Sequence, residues 1–383
     1  MTALANRHGA VNLAQGFPDF DGPEFVKDAA ARAIAEGKNQ YGRMQGSLEL
    51  NAAIVAAWKR SSGLDIDGES QVTVTAGCTE ALAATFLGLI NPGDEVILFE
   101  PYYDCYRAGV AMAQGVVRSV ALRPPESVAP SGDGIVRAAF TFDPDELRRA
   151  FTPRTRAIVV NTPNNPTGKV YTREELSLVA ELCVKHDVIA ITDEVYEKLT
   201  FDPALPHLHL AAFPGMADRT VTLSSLGKTF SLTGWKTGWA IASPELSAAV
   251  RSAHQFLTFC SVTPIQHGAA AALNGGEAYI ASLRRQLHEA RDFLAGVLVR
   301  AGLRVYMPSG TYFIMADHTS VSRGMSDMEF CRWLPEKVGV AAIPPSPFYD
   351  DPARGRSLVR FAFCKRMETL HRAAERLEKL RSM

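Results

Sequence analysis

The chain lacks a long apolar run. No stretch approaches the roughly 20 residues a membrane-spanning helix needs. Its first residues include Arg7, His8 and Asp19 with no unbroken apolar core between them, so a secretory signal is not expected either. Net charge is almost absent: 40 Lys and Arg stand against 41 Asp and Glu, with no basic cluster. That balance excludes the electrostatic footprint of a nucleic-acid binder or an anionic-membrane binder. Cysteine is sparse and scattered, at positions 78, 105, 183, 260, 331 and 364, and no C-x-x-C occurs. The pattern suits buried thiols in a reducing compartment better than a disulfide frame or a cysteine zinc site, so a cytoplasmic location is expected. Internal repeats and low-complexity segments are also missing. One nucleotide motif fails narrowly: Gly227-Lys228-Thr229 looks like the end of a phosphate-binding loop, but the position of its first glycine is Thr222.

What is present is an ordinary globular composition, 47% hydrophobic and 21% charged over 383 residues, enough for a large core divided between two domains. From Gln71 the chain repeats a strand, loop, helix texture. Apolar strands are expected at 71–75, 95–99, 156–161, 188–192, 220–223 and 235–243, with helices at 81–90 and 172–186 and another opening at Pro244. Residues 122–142 are polar, rich in Pro and Gly, and read as a connecting excursion. From about Pro264 the chain is helical to Ala301, broken at Gly275-Gly276. Short strands then follow at 303–307, 311–316 and 357–364, before a charged terminal helix running to Lys379. The expected class is α/β: a large domain (38–274) with a mostly parallel sheet between helices, and a smaller α+β domain (275–383) joined by the N-terminal segment 1–37.

Several residues stand where chemistry collects. Asn165, Asp193 and Lys228 each lie just past a different apolar strand, and in a doubly wound parallel sheet those ends share one edge, where ligands bind. Each has an ordinary alternative. Asp193 would serve as a helix N-cap, and Lys228 as a lysine at a strand-loop junction. Arriving together, they point to a shared site. Ala76-Gly77-Cys78-Thr79-Glu80 leads a strand into a helix and offers free N–H groups to a phosphate, or simply a cap. Tyr102 and Tyr103 end another strand and suit core packing or stacking on a flat ligand. The loop Val11 to Pro23, with Phe17 and Phe20, is either a surface arm or a wall of the site. The residue types suggest a pyridine aldehyde: a lysine for its imine, an acid for its ring nitrogen, Tyr and Asn for a ring hydroxyl, and Ser, Lys and N–H groups for a phosphate.

With those residues in view the chain resembles the class I/II pyridoxal-phosphate aminotransferases of fold type I, and is most similar to the kynurenine aminotransferase, glutamine transaminase K and methionine aminotransferase branch. The likeness rests on NLAQGFPDF, NQYGR, TAGCTEAL, EPYYDCY, NTPNNPTGK, DEVYEKL, SSLGKTFSLTGWKTGW, PSGTYF and VRFAFCK. It implies pyridoxal 5'-phosphate as cofactor, with Lys228 as the imine-forming lysine, Asp193 on the pyridine nitrogen, Tyr196 and Asn165 on the ring oxygen, and Tyr103 stacked on the ring. It further implies a phosphate site at Gly77, Cys78 and Thr79 with Ser225 and Lys236, and a homodimer in which Tyr41 reaches the neighbouring subunit's phosphate. Arg360 would grip the substrate carboxylate, helped by Gly16 and Asn165. Phe17, Tyr41, Tyr103, Phe259 and Phe348 are candidate pocket walls.

Two positions depart from the wider pattern: Lys236 stands where many relatives carry Arg, and Cys78 where Gly, Ala or Ser is usual. The implied activity is ping-pong transfer of an amino group from a large neutral or aromatic amino acid (kynurenine, methionine, glutamine or phenylalanine) to a 2-oxo acid. No second arginine stands out for a distal carboxylate, which argues against aspartate. Cysteine-conjugate β-lyase activity on the same residues is the alternative. A ligand-sensing domain of a transcription regulator is disfavoured, because the fold is expected to start within about 20 residues of Met1. No metal-ligand set is read from the sequence.

Overall fold

The computed structural model of the chain describes residues 1–125 and 128–382. A seven-stranded sheet runs in the order Val72–Thr75, Gly238–Ile241, Thr220–Ser225, Ile189–Asp193, Thr155–Asn161, Glu95–Glu100, Val116–Ala121. All neighbours pair in parallel except Gly238–Ile241, which is antiparallel to both of its partners. The three central strands are buried along nearly their whole length because helices cover both faces, which is why they read as continuous apolar runs and not as alternating ones. On the side strand Val116–Ala121 exposure does alternate at first.

Helices begin where the side chains supply caps. Thr172 and Glu175 form a reciprocal capping box at the start of Arg173–His186, and Ser243 caps Pro244–Leu257. A second, four-stranded sheet joins Ile135–Val136, Arg304–Tyr306, Phe313–Asp317 and Leu358–Ala362. The N-terminal segment crosses beside it: Val11–Asn12 pairs with Val340–Ala341, and Leu13 O accepts from Ala362 N at 2.7 Å.

The α/β class is as expected, with local differences. The excursion at 122–142 contributes strand Ile135–Val136 to the second sheet, pairing in parallel with Arg304–Tyr306. The strand expected over 235–243 forms only at Gly238–Ile241, because Thr233–Trp235 closes into a 3₁₀ turn and Lys236 takes a left-handed φ of 49°. The helix expected from Ala81 already starts at Cys78. Helix Thr263–Gly275 gives way at Gly276 to Glu277–Arg300, as anticipated. All six cysteines are free thiols. Among the described residues no helix is long and apolar enough to cross a membrane.

At the start of strand Glu95–Glu100, away from the strands' carboxyl ends, the buried Glu95 carboxylate accepts from Arg154 (2.5 and 3.0 Å), Arg118 (2.9 Å) and Thr152 (2.7 Å). These partners hold its pKa down at about 2. Because the folded value lies below the unfolded one, this stabilisation is complete above the ordinary Glu range and disappears as pH falls toward about 2. Glu95→Gln should therefore lower unfolding free energy at neutral pH by about 2–3 kcal/mol. In chemical denaturation across pH, the gap between variant and wild type should shrink with acidification, while substrate turnover stays unchanged.

Candidate active site

Asp193 ends its strand in register between Asn161 and Leu223 of the neighbouring strands. Side chains leaving these carboxyl ends share one cavity of about 270 Å³. The Asp193 carboxylate is 4% exposed. Its Oδ2 accepts from Tyr106 Oη at 2.7 Å, and its Oδ1 from Val195 N at 3.3 Å and from the Cys78 thiol at 3.7 Å. Burial nonetheless pushes the acid's pKa up, against these hydrogen bonds and the nearby Lys228.

Lys228 lies in the single turn Leu226–Thr229 that follows strand Thr220–Ser225. Its Nζ is 5.9 Å from the Tyr196 ring centre and 5.8 Å from that of Tyr312. Among the described residues it has no hydrogen-bond or ion-pair partner. Burial pulls its pKa down, against the opposing pull of Cys364 and Asp193, which makes the amine easier to deprotonate than an exposed lysine.

The far wall is carried by the second sheet. Arg360, on strand Leu358–Ala362, donates from Nη1 to Asn165 Oδ1 at 2.8 Å and from Nη2 to Ala14 O at 3.3 Å. Its guanidinium lies 4.1 Å from the Phe313 ring centre, and its buried Nε has no partner. Burial lowers its pKa to about 10, which leaves it cationic at neutral pH. Asn165 is tied in turn: its N–H donates to Asn161 Oδ1 at 2.7 Å. Tyr312 Oη donates to Gly16 O at 2.6 Å, and a Cβ on Gly16 would stand 2.5 Å from Phe313, so only glycine fits there.

The cavity reaches the start of helix Cys78–Leu89, where Gly77, Cys78, Thr79, Ser225 and Lys236 line it. Gly77 takes φ 79°, and a Cβ on it would meet Lys236 Nζ at 3.1 Å. The Gly77 N–H is spent on Thr75 O at 2.8 Å, so this residue supplies room, while the N–H groups of Cys78 and Thr79 have no helical acceptor. Lys236 has no ion-pair partner among the described residues.

Of the residues singled out from sequence, Gly16, Gly77, Cys78, Thr79, Tyr103, Asn165, Asp193, Tyr196, Ser225, Lys228, Lys236 and Arg360 line this one cavity. Phe17, Tyr41, Phe259 and Phe348 do not. Phe17 is half exposed under the Lys365 ammonium, and Phe348 lies on the Arg360 guanidinium at 5.4 Å. Tyr41, 88% exposed, packs edge-on against Phe259 at 5.7 Å on an outer surface. Three of them come from loops and Phe348 from the short 3₁₀ turn Ser346–Phe348, where no strand or helix period says which way a ring points. The cavity also holds Tyr106, Asn161 and Phe313, which sequence reading passed over. Tyr106 was findable: it stands three residues after Tyr103, the spacing of one helical turn.

The family model for aminotransferases of class I and II matches residues 9–377. The chain is 50% identical to a probable N-succinyldiaminopimelate aminotransferase of Mycobacterium tuberculosis, over 99% of this chain and 94% of that one. It is 39% identical to a kynurenine–oxoglutarate transaminase of Dictyostelium discoideum, over 99% and 92%. The solved structure of YbdL from Escherichia coli, for which a methionine aminotransferase function was identified, superposes with a TM-score of 0.92 at 39% identity, covering 99% of this chain and 95% of that one.

Tyr106→Phe removes a donor from a buried carboxylate. In the cofactor-free protein this should cost about 1.5–3 kcal/mol of stability at neutral pH. The folded pKa of Asp193 is raised, so its ionised form is the destabilising one, and losing Tyr106 worsens this only where the acid is ionised. Denaturation of variant and wild type should converge as pH falls through the Asp193 pKa.

Proposed function

The chain belongs to the class I and II aminotransferases, and from that premise we propose that it moves the amino group of an L-amino acid with a large neutral side chain to a 2-oxo acid. Kynurenine, phenylalanine, methionine and glutamine are donors of this type. Enzymes of the family work with pyridoxal phosphate, whose ring, when bound, draws off the electron pair left as the substrate Cα loses its proton. The cavity suits that group: a buried acid with no ion-pair partner among the described residues, a lysine amine with no hydrogen-bond or ion-pair partner among them, and a recess at a helix start with a second unpaired lysine beside it.

Asp193 would hold the ring nitrogen, Tyr196 and Asn165 the ring oxygen, and Tyr103 the ring face. The N–H groups of Cys78 and Thr79, with Ser225 and Lys236, would hold the phosphate, Gly77 leaving it room. Lys236 offers a point charge where a guanidinium would offer a fork. Lys228 Nζ, its pKa lowered by burial, is the base that takes the Cα proton in one half-reaction and returns it in the other. Arg360 would bind the substrate carboxylate, and its unpartnered Nε is a donor still available. The observation that carries this reading is the convergence of a partnerless buried lysine, a buried acid and a buried arginine on one cavity.

The cations lining the cavity are Lys228, Lys236 and Arg360, and each already has a task. Gln15, Leu82, Val195, Thr233 and Phe313 make much of the remaining wall, which supports a neutral donor side chain. A second reading, a donor of the N-succinyldiaminopimelate type, is favoured by the 50% identical relative. Such a donor carries further carboxylates at its far end. Pairing of two copies is also part of the proposal, supported by the exposed apolar surface of Tyr41, Phe256, Phe259 and Val262. Tyr41 would then reach the second copy's phosphate.

Borohydride treatment of the cofactor-loaded enzyme should fix the pyridoxyl group on Lys228, and a label on any other residue ends the assignment. In a donor panel read by the product oxo acid, the neutral donors should exceed both aspartate and N-succinyldiaminopimelate. If the last of these leads by tenfold or more in kcat/KM, about 1.4 kcal/mol, the second reading replaces the first. Pyruvate and ammonia released from a cysteine conjugate without an acceptor would mark β-elimination instead.

Arg360→Lys keeps the charge but loses the fork. The value of kcat/KM for any donor should fall about 10- to 150-fold, the equivalent of one charge-assisted hydrogen bond of about 1.5–3 kcal/mol.

A further inference from the structure

One residue beyond Asp193 begins a second cluster that the transamination chemistry does not use. Glu194 and Glu197 follow strand Ile189–Asp193, and His207 and His209 lie in the loop before the turn Leu210–Ala212. Each offers one ligand-type atom, and the four atoms lie within 4.8 Å of one another. His207 Nε2 at 2.9 Å and His209 Nδ1 at 2.5 Å both address Oε2 of Glu194, while His209 Nε2 is 3.9 Å from Glu197 Oε2. The side chains of Glu194 and His209 are 1% and 4% exposed. Beside them is a cavity of about 40 Å³, whose walls include Glu194, Glu197, His209 and Trp58.

Hydrogen bonding inside the cluster does not account for all of it. Glu194 Oε1 and His207 Nδ1 are buried and bond to nothing among the described residues. A group evolved only to share protons would not crowd two imidazoles onto one carboxylate oxygen and leave the other buried and empty. Two carboxylates and two neutral imidazoles sum to two negative charges, which a divalent ion cancels. The ligand types, nitrogen and carboxylate oxygen, are those of zinc and its neighbours, not of magnesium or calcium.

We propose that Glu194, Glu197, His207 and His209 bind one divalent transition-metal ion, best matched by zinc, outside the active-site cavity. In a tetrahedral site with bonds of ~2.0–2.1 Å the ligand atoms stand roughly 3.3–3.4 Å apart. The ion therefore displaces the proton now shared by His209 and Glu194, opens that contact, and draws Glu197 inward. Glu197 can move: among the described residues its carboxylate is held by Ser224 Oγ at 3.2 Å, by the partly exposed Lys198 at 3.5 Å and loosely by His209 at 3.9 Å, the contact the ion would replace. The ion's role is to tie the segment after Asp193 to the loop at 207–209.

The test uses the cofactor-loaded enzyme, stripped of metal with a chelator and titrated with zinc chloride. Bound zinc is counted by elemental analysis while the cofactor's absorption reports any chelation in the active site. One zinc per chain is expected, with the absorption unmoved and the melting temperature raised by the bound ion. His209→Gln, which can still hydrogen-bond to Glu194, should turn over substrate but bind zinc at least about tenfold more weakly and lose the thermal shift. Glu197→Gln, at the most exposed of the four positions, should do the same. No stoichiometric zinc on the wild type, which means a proton-bonded cluster only, overturns the proposal. So does uptake that both variants retain, or that appears only as a change in the cofactor's absorption.

Discussion

Burial of the Asp193 carboxylate is the constraint around which the site is arranged. A carboxylate at the end of an apolar strand, shut away from water, costs several kcal/mol unless something answers its charge. The chain answers only partly, with a phenol, one N–H and a thiol, and the acid's pKa stays raised. Under the proposed function the balance would come from the cofactor's ring nitrogen. Full satisfaction by the protein itself, for instance by an arginine in the place of Tyr106, would stabilise the fold and leave the acid nothing to offer a cationic ring.

Lys228 shows the same logic with the opposite sign. Burial lowers its pKa, and among the described residues no acceptor lies in reach to restore it. Arg360 is buried as well but keeps its charge, because a guanidinium starts so high that a fall to about 10 leaves it cationic. One desolvated cavity thus pulls both cations down in pKa, and the arginine, starting higher, keeps its charge at neutral pH. The difference lies in intrinsic basicity, not in the degree of burial.

Much of this was legible in the sequence and some was not, for physical reasons. Strands buried on both faces announce themselves as continuous apolar runs, and the polar residues at their ends, Asn165, Asp193 and Lys228, meet because parallel strands share an edge. Val116–Ala121 went unread because it lies at the sheet's side and its burial is mixed, and Ile135–Val136 because two residues carry no period. Its partner strand comes far later in the chain, so only tertiary pairing reveals it. The aromatics Phe17, Phe259 and Phe348, in loops and a short 3₁₀ turn, were expected as pocket walls on residue type. The direction of a ring in a loop is decided by packing, here by cations that lie on two of the three, Lys365 on Phe17 and Arg360 on Phe348.

The two sheets are not independent supports for the site. Arg360 on the smaller sheet donates to Asn165, whose N–H donates to Asn161, whose Nδ2 donates to the carbonyl of Asp193 at 2.8 Å. This relay crosses from the strand that presents the guanidinium to the strand that presents the acid. A separation of the two sheets by about 0.7 Å along this direction would break its first bond, 2.8 Å long, since geometry beyond roughly 3.5 Å no longer counts as a hydrogen bond. An anion that drew Arg360 toward itself would therefore pull on Asn165 at the same time. The two ends of the cavity are thus joined by one chain of hydrogen bonds through Arg360, Asn165 and Asn161.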